Sequence, residues 1–155
     1  MVYPYLNYCC IVWGGASITS ISKLLILQKR SVRILSHSAY LAPSNPLFIK
    51  LSLLKFPDIY ILRIAEFMYK FTYDLLPRSC NNFLAFENLS HEYYTRHSHI
   101  LNPASCRTII RFSYISVCGP KIWNKLPENI KRLPSLNVFK RNLTVYLLNN
   151  YLSNR

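Results

Sequence analysis

Between Pro57 and Pro77 the chain reads PDIYILRIAEFMYKFTYDLLP, and apolar residues circle almost the whole of that segment if it is wound as a helix. Only Arg63, Glu66 and Lys70 break the ring, as one narrow polar strip in which Glu66 and Lys70 have the i,i+4 spacing of an ion pair. A helix that is apolar on nearly every side has to be buried on several sides. The segment therefore predicts a central core helix with other elements packed around it. Pro57 suits its first turn, and Asp58 suits the positive end of the helix dipole.

Two other segments have the single apolar stripe needed to pack on such a core. In TSISKLLILQKRSVRILSH, Ile21, Leu24, Leu25, Val32 and Leu35 share one helical face, Lys23, Arg30 and Arg33 fall opposite, and Lys29 lies at the border. Gln28 sits in the middle of the apolar face, so its amide needs buried hydrogen-bond partners. Near the C-terminus, SLNVFKRNLTVYLLNNYL places Leu136, Phe139, Leu143, Tyr146 and Leu147 on one face, with Ser135 as the N-cap. The opening VYPYLNYCCIVWGG reads as a short helix closed by a left-handed cap at Gly14 and Gly15. APSNPLFIKLSLLKFP reads as a proline-punctuated connector with one short helical turn.

Helical periodicity fades from Pro77 to Cys106. TIIRFSYISV then alternates, with Ile110, Phe112 and Tyr114 set against Arg111 and Ser113, which predicts a strand, and YYTRHSHI is its candidate partner. Gly119 and Pro120 would end the strand, KIWNKL would form a short helix with Trp123 facing the core, and PENIKRL would start again at Pro127. The expected fold is mainly α: a helical bundle with a small β-hairpin between the N-terminal and C-terminal helices. Its parts are a helical region 1–76, an irregular polar and aromatic connector 77–106, and a strand with C-terminal helices 107–155, forming one structural unit.

The formal net charge is +13, with nine basic against three acidic residues in 1–78 and ten against three in 79–155. An excess spread so evenly favours polyanionic partners, of which nucleic acid is the most common, while solubility, an acidic protein or a membrane surface would also use it. Two-metal phosphoryl chemistry needs clustered carboxylates holding cations about 4 Å apart. The six acids here, Asp58, Glu66, Asp74, Glu87, Glu92 and Glu128, are scattered, so no polymerase chemistry is expected from this chain alone. No paired Cys or His at zinc spacing occurs; His97, Ser98 and His99 with Cys106 come nearest, and no metal or other cofactor is expected. Five cysteines, two of them adjacent, point to reduced thiols in nucleus or cytoplasm rather than a secreted disulfide framework. The uncharged stretch before Lys23 is broken by Pro4, Asn7, Gly14 and Gly15, so no membrane span is expected. Basic and aromatic residues interleave in HEYYTRHSHI and CRTIIRFSY, which sets Arg96, Arg107 and Arg111 among rings able to stack on unpaired bases. The same pattern also fits a packed tyrosine-rich hairpin with its arginine heads in solvent.

Taken in order, YPYLNYCCIVWGGA, LLILQKRSVRIL, NPLFIKLSLLKFPDIY, FMYKFTYDLLP, YYTRHS and GPKIWNKLPENIKRLPSLNVFKRNL resemble the C-terminal region of reverse transcriptases from non-LTR retrotransposons (LINEs) of the jockey type. The resemblance spans residues 2–148, and its specificity lies in the order and spacing of the blocks. In that family these blocks form thumb and post-thumb sequence downstream of a Tyr-x-Asp-Asp catalytic motif, which is absent here. The resemblance implies a non-catalytic fragment of an RNA-directed DNA polymerase that grips template and primer during target-primed synthesis, with the upstream polymerase domains as partner. It carries RNA- or DNA-binding roles onto Lys29, Arg30 and Arg33, and onto Arg96, Lys121 and Lys125. The alternative is a standalone helical module, a decayed or domesticated copy whose apolar edges bind a protein.

Overall fold

The computed structural model describes residues 3–81, 101, 103 and 105–153. Among them the chain forms ten helices and no strand: α1 (Tyr3–Asn7), α2 (Cys10–Trp13), α3 (Ile18–Leu35), α4 (Ser44–Lys50), α5 (Phe56–Thr72), α6 (Arg78–Asn81), α7 (Ile109–Phe112), α8 (Ile115–Lys125), α9 (Glu128–Lys131) and α10 (Leu136–Ser153). The central helix is α5, as the apolar ring predicts, and α1, α2, α3, α8 and α10 all pack on it. Phe56, Ile59, Ile64, Ala65 and Met68 are completely enclosed. Removing a large apolar side chain of this kind from water stabilises the fold by about 1.5–3 kcal/mol. One hydrophobic core runs from Leu6 to Tyr151. No helix among the described residues is long and apolar enough to cross a membrane.

The two amphipathic helices lie as their stripes require. In α3 Val32 and Gln28 are buried, and Ile21 and Leu24 pack at the edge of the core. Leu35, the last residue of the helix, departs from the expectation and is exposed. Ser17 caps α3 by accepting a hydrogen bond from the Ser20 N–H. Phe139, Leu143, Leu147 and Tyr151 form the buried face of α10, and the Ser135 hydroxyl accepts from the Val138 N–H at 3.4 Å.

The expected β-hairpin is not formed. Residues 109–112 make a turn of helix, and from Ile115 the chain enters α8, which runs through Gly119 and Pro120 to Lys125. Five alternating residues fit a strand, but a strand leaves its N–H and C=O groups waiting for a partner, whereas a helix satisfies them locally. Tyr114 starts that local pattern by accepting from the Val117 and Cys118 N–H groups. Packing then fixes it, since Val117, Pro120 and Trp123 recur every third residue and are all buried. Pro120 removes one donor from the helix, and Gly119, having no side chain, allows α8 to approach α5 closely. A Cβ at residue 119 would lie 2.7 Å from the Met68 sulfur. The proposed strand partner, residues 93–100, lies outside the described residues.

The N-terminal segment is also corrected. It forms two short helices broken at Cys9, which takes the left-handed conformation (φ 46°), while Gly14 is right-handed (φ −68°). Gly14 is needed for space, because a Cβ there would meet the Tyr60 ring at 2.3 Å.

Residues distant in sequence close the start of α5. Lys55 stands at its N-cap position without a side-chain cap bond. Instead the Phe56 N–H donates to Gln28 Oε1 at 2.9 Å, and the Lys55 N–H donates to the Tyr151 hydroxyl at 2.9 Å. Tyr151 in turn donates to the Asp58 carboxylate. Helices α3 and α10 thus supply the caps that local sequence does not.

Candidate nucleic-acid interface

Two of the four described carboxylates, Asp58 and Glu66, are engaged inside the fold, and Glu128 pairs with neighbouring cations at the surface, which bears on where positive charge is left over. Buried Glu66 meets Arg63 and Lys140 at 2.7 Å each, with Lys70 at 3.8 Å. Burial pushes its carboxyl upward, but hydrogen bonds from Lys140 and Arg63 outweigh this and hold it below the ordinary 4.5. Asp58 moves the other way: burial raises it, only partly offset by the Tyr151 hydrogen bond and by Lys55. Glu128 pairs with Lys131 at 2.8 Å and lies 3.9 Å from Arg132.

A depressed carboxyl contributes stability that is complete above its unfolded value and lost as pH falls through the folded one. Glu66→Gln should therefore lower stability by about 1–3 kcal/mol near neutral pH. In urea titrations the gap from the parent protein should close as pH falls below 4.5. The opposite contribution of Asp58 is present in both proteins and cancels in the difference. A gap that stayed constant with pH would show that the charge on Glu66 is not what Arg63 and Lys140 recognise.

Of the three α3 cations expected to bind nucleic acid, only Arg30 is exposed; Lys29 and Arg33 are half-buried. The Arg33 Nε donates to the Ala42 carbonyl at 2.9 Å and ties α3 to the connector that follows. Arg96 lies outside the described residues, as do His97 and His99. Arg107, Arg111, Lys121 and Lys125 are all exposed, and among the described residues none forms an ion pair with a carboxylate. Lys121 and Lys125 are one helical turn apart on α8, and the Lys121 ammonium stands over the Phe112 ring, 4.6 Å from its centroid. That contact brings the α8 cations against α7, next to Arg111. Phe112 is 47% exposed and Tyr114 56%.

Residues 107–125 thus carry four exposed cations and two accessible rings, a basic ledge in which Lys121 and Phe112 are in direct contact. Asn124 Oδ1 accepts from the Leu101 N–H at 3.2 Å and its Nδ2 donates to the Leu101 carbonyl at 2.8 Å, fastening residue 101 to α8. The strand expectation put Phe112 and Tyr114 on one face with Ile110, whereas the structure places Phe112 at the end of a helical turn and Tyr114 just before α8. The three-residue spacing of Val117, Pro120 and Trp123 was the signal that could have placed them on a helical turn instead.

Helices α3 and α8 each pack on α5. The outer face of α3 is itself mixed, with Ile26, Leu27 and Ile34 exposed beside Lys23 and Arg30. Among the described residues no group of His, Cys, Asp or Glu is placed to hold a metal ion. The five cysteines are all free thiols. Comparison of the chain with family models, with curated proteins and with solved structures gives no match in any of the three.

Proposed function

We propose that this chain binds single-stranded nucleic acid without catalysis, as a C-terminal, thumb-like segment of a retrotransposon RNA-directed DNA polymerase. The observation that carries the reading is the α7–α8 ledge: Lys121 stands over the accessible Phe112 ring, and the same stretch of chain carries exposed Arg107, Arg111, Tyr114 and Lys125, with no carboxylate paired to the four cations among the described residues. Cations track phosphates and rings stack on unpaired bases, the combination used in sequence-tolerant single-strand binding. The net charge of +13 and the resemblance of the ordered sequence blocks support the same reading.

Salt dependence tests it. Binding of a fluorescent single-stranded oligonucleotide should weaken with rising salt, with a log-log slope near 0.7 per phosphate contact. Arg107→Ala with Arg111→Ala should make the slope shallower by about 1.4 and reduce affinity about tenfold at low salt. Both side chains are exposed, so folding should not change. An unchanged slope and affinity would remove the ledge from consideration.

The exposed Ile26, Leu27 and Ile34 on α3 favour a second reading, a helical protein-interaction module. Such an interface buries apolar surface and should respond little to salt. A salt-insensitive complex lost in Leu27→Asp would support it over the first.

A further inference from the structure

A cleft of about 480 Å³ lies between the α1–α2 corner, the middle of α5, Leu76 and the first residue of α8. That volume is within the range of sites for small molecules, roughly 300–1,000 Å³. Its walls are largely apolar, with Ile11, Phe67, Leu76 and Ile115 contributing, and its charged groups are Arg63, Glu66 and Lys70. The corner is fastened to α5, because the Arg63 Nε donates to Asn7 Oδ1 at 3.0 Å.

The charges in the cleft do not balance. Arg63 engages one oxygen of Glu66 and Lys140 the other, each at 2.7 Å, so the buried carboxylate is already satisfied. Lys70 faces the oxygen held by Lys140 from 3.8 Å, beyond hydrogen-bond distance. Two cations and one carboxylate line the cleft, and Lys140 further neutralises that carboxylate, so the site is net positive and the Lys70 ammonium retains donors for an incoming anion. A nucleotide suits the lining poorly, since its base edges and sugar hydroxyls would lose water against apolar walls that cannot replace those hydrogen bonds.

We propose that this cleft binds a small amphipathic carboxylate, with its head at Lys70 and Arg63 and its apolar body against Phe67, Leu76 and Ile115. The site uses none of the ledge cations, so it stands or falls separately from nucleic-acid binding. A straight-chain body of ~10 carbons is a suitable size for the volume.

Calorimetric titration of the full chain with decanoate, below its micelle concentration, tests the proposal, with decanol as the neutral analogue and adenosine monophosphate as the nucleotide. Decanoate should saturate one site and bind about tenfold more tightly than decanol. Lys70→Gln should weaken decanoate about five- to tenfold and leave decanol unchanged, while Arg63 and Lys140 still hold Glu66. Val12→Asp, at a rim residue that is 83% exposed and therefore tolerant of substitution, should weaken decanoate by repulsion. Exposed Cys9, also at the rim, should alkylate more slowly when decanoate is present, read peptide by peptide in a mass spectrometer. Unsaturable uptake, equal binding of decanoate and decanol, preference for the nucleotide, no Cys9 protection, or identical titrations of parent and both variants would each overturn the proposal.

Discussion

Phe139→Ala should destabilise the protein by about 3–5 kcal/mol, enough to leave it near the unfolding threshold of an ordinary domain. The Phe139 ring is 0% exposed and joins three helices, lying 4.6 Å from the Tyr69 ring of α5 and 6.1 Å from the Trp123 ring of α8, measured between centroids. Truncation removes the transfer free energy of the ring and leaves a cavity, and the second term depends on how far the walls can relax. Here they are held. The Tyr69 hydroxyl donates to the Leu133 carbonyl at 2.6 Å, and Tyr69 also packs on Tyr73, whose hydroxyl donates to the Lys131 carbonyl at 3.0 Å. The loss should therefore fall in the upper part of the range. Urea denaturation followed by circular dichroism measures it, with Phe139→Leu as the partial deletion, expected to cost about 1 kcal/mol. A loss below about 1 kcal/mol in the alanine variant would mean that the three helices do not meet at this ring.

Gln28→Leu should lower stability by about 2–4 kcal/mol although it makes the buried face of α3 more apolar. The Gln28 amide is 8% exposed and bridges two backbone groups, donating through Nε2 to the Leu54 carbonyl at 2.8 Å and accepting through Oε1 from the Phe56 N–H. A leucine of similar size leaves both groups buried without partners, and the penalty is the desolvation of each. Gln28→Glu separates this cause from packing. The carboxylate can still accept from Phe56 but sets negative charge against the Leu54 carbonyl, so that variant should be destabilised at neutral pH and recover as pH falls and the carboxyl protonates. Equal stability of all three proteins across pH would mean that water satisfies the start of α5.

How much of this was legible in the sequence depends on the distance over which the information acts. The apolar ring of α5 and the stripes of α3 and α10 are repeats of three and four residues, so their helices and most of their buried faces could be read directly. Gln28 was recognisable as a buried amide because it interrupts one of those stripes. Its partners were not, since Leu54 and Phe56 reach it only once α3 lies against the start of α5. The same holds for the polar strip on α5. Glu66 and Lys70 have the spacing of an ion pair, but Lys140 arrives from α10 to meet the carboxylate at 2.7 Å while Lys70 stays at 3.8 Å. Arg107, Arg111, Lys121 and Lys125 were visible as cations, while the ledge they form with Phe112 and Tyr114 depends on the helix that replaced the expected strand.

The sequence by itself determined the helical class, the central place of α5, the inward faces of α3 and α10 and the excess of positive charge, because each is set by composition or by contacts within a turn or two of the chain. Tertiary structure alone decided the conformation of residues 109–118, where five alternating residues fit either state and burial of Val117, Pro120 and Trp123 against α5 selects the helix. It also decided which cations remain available to a partner, because Lys140 and Arg33 are occupied by groups their own helices do not carry. Local periodicity fixes which way a side chain faces, and only packing brings together groups such as Lys55 and Tyr151, 96 residues apart.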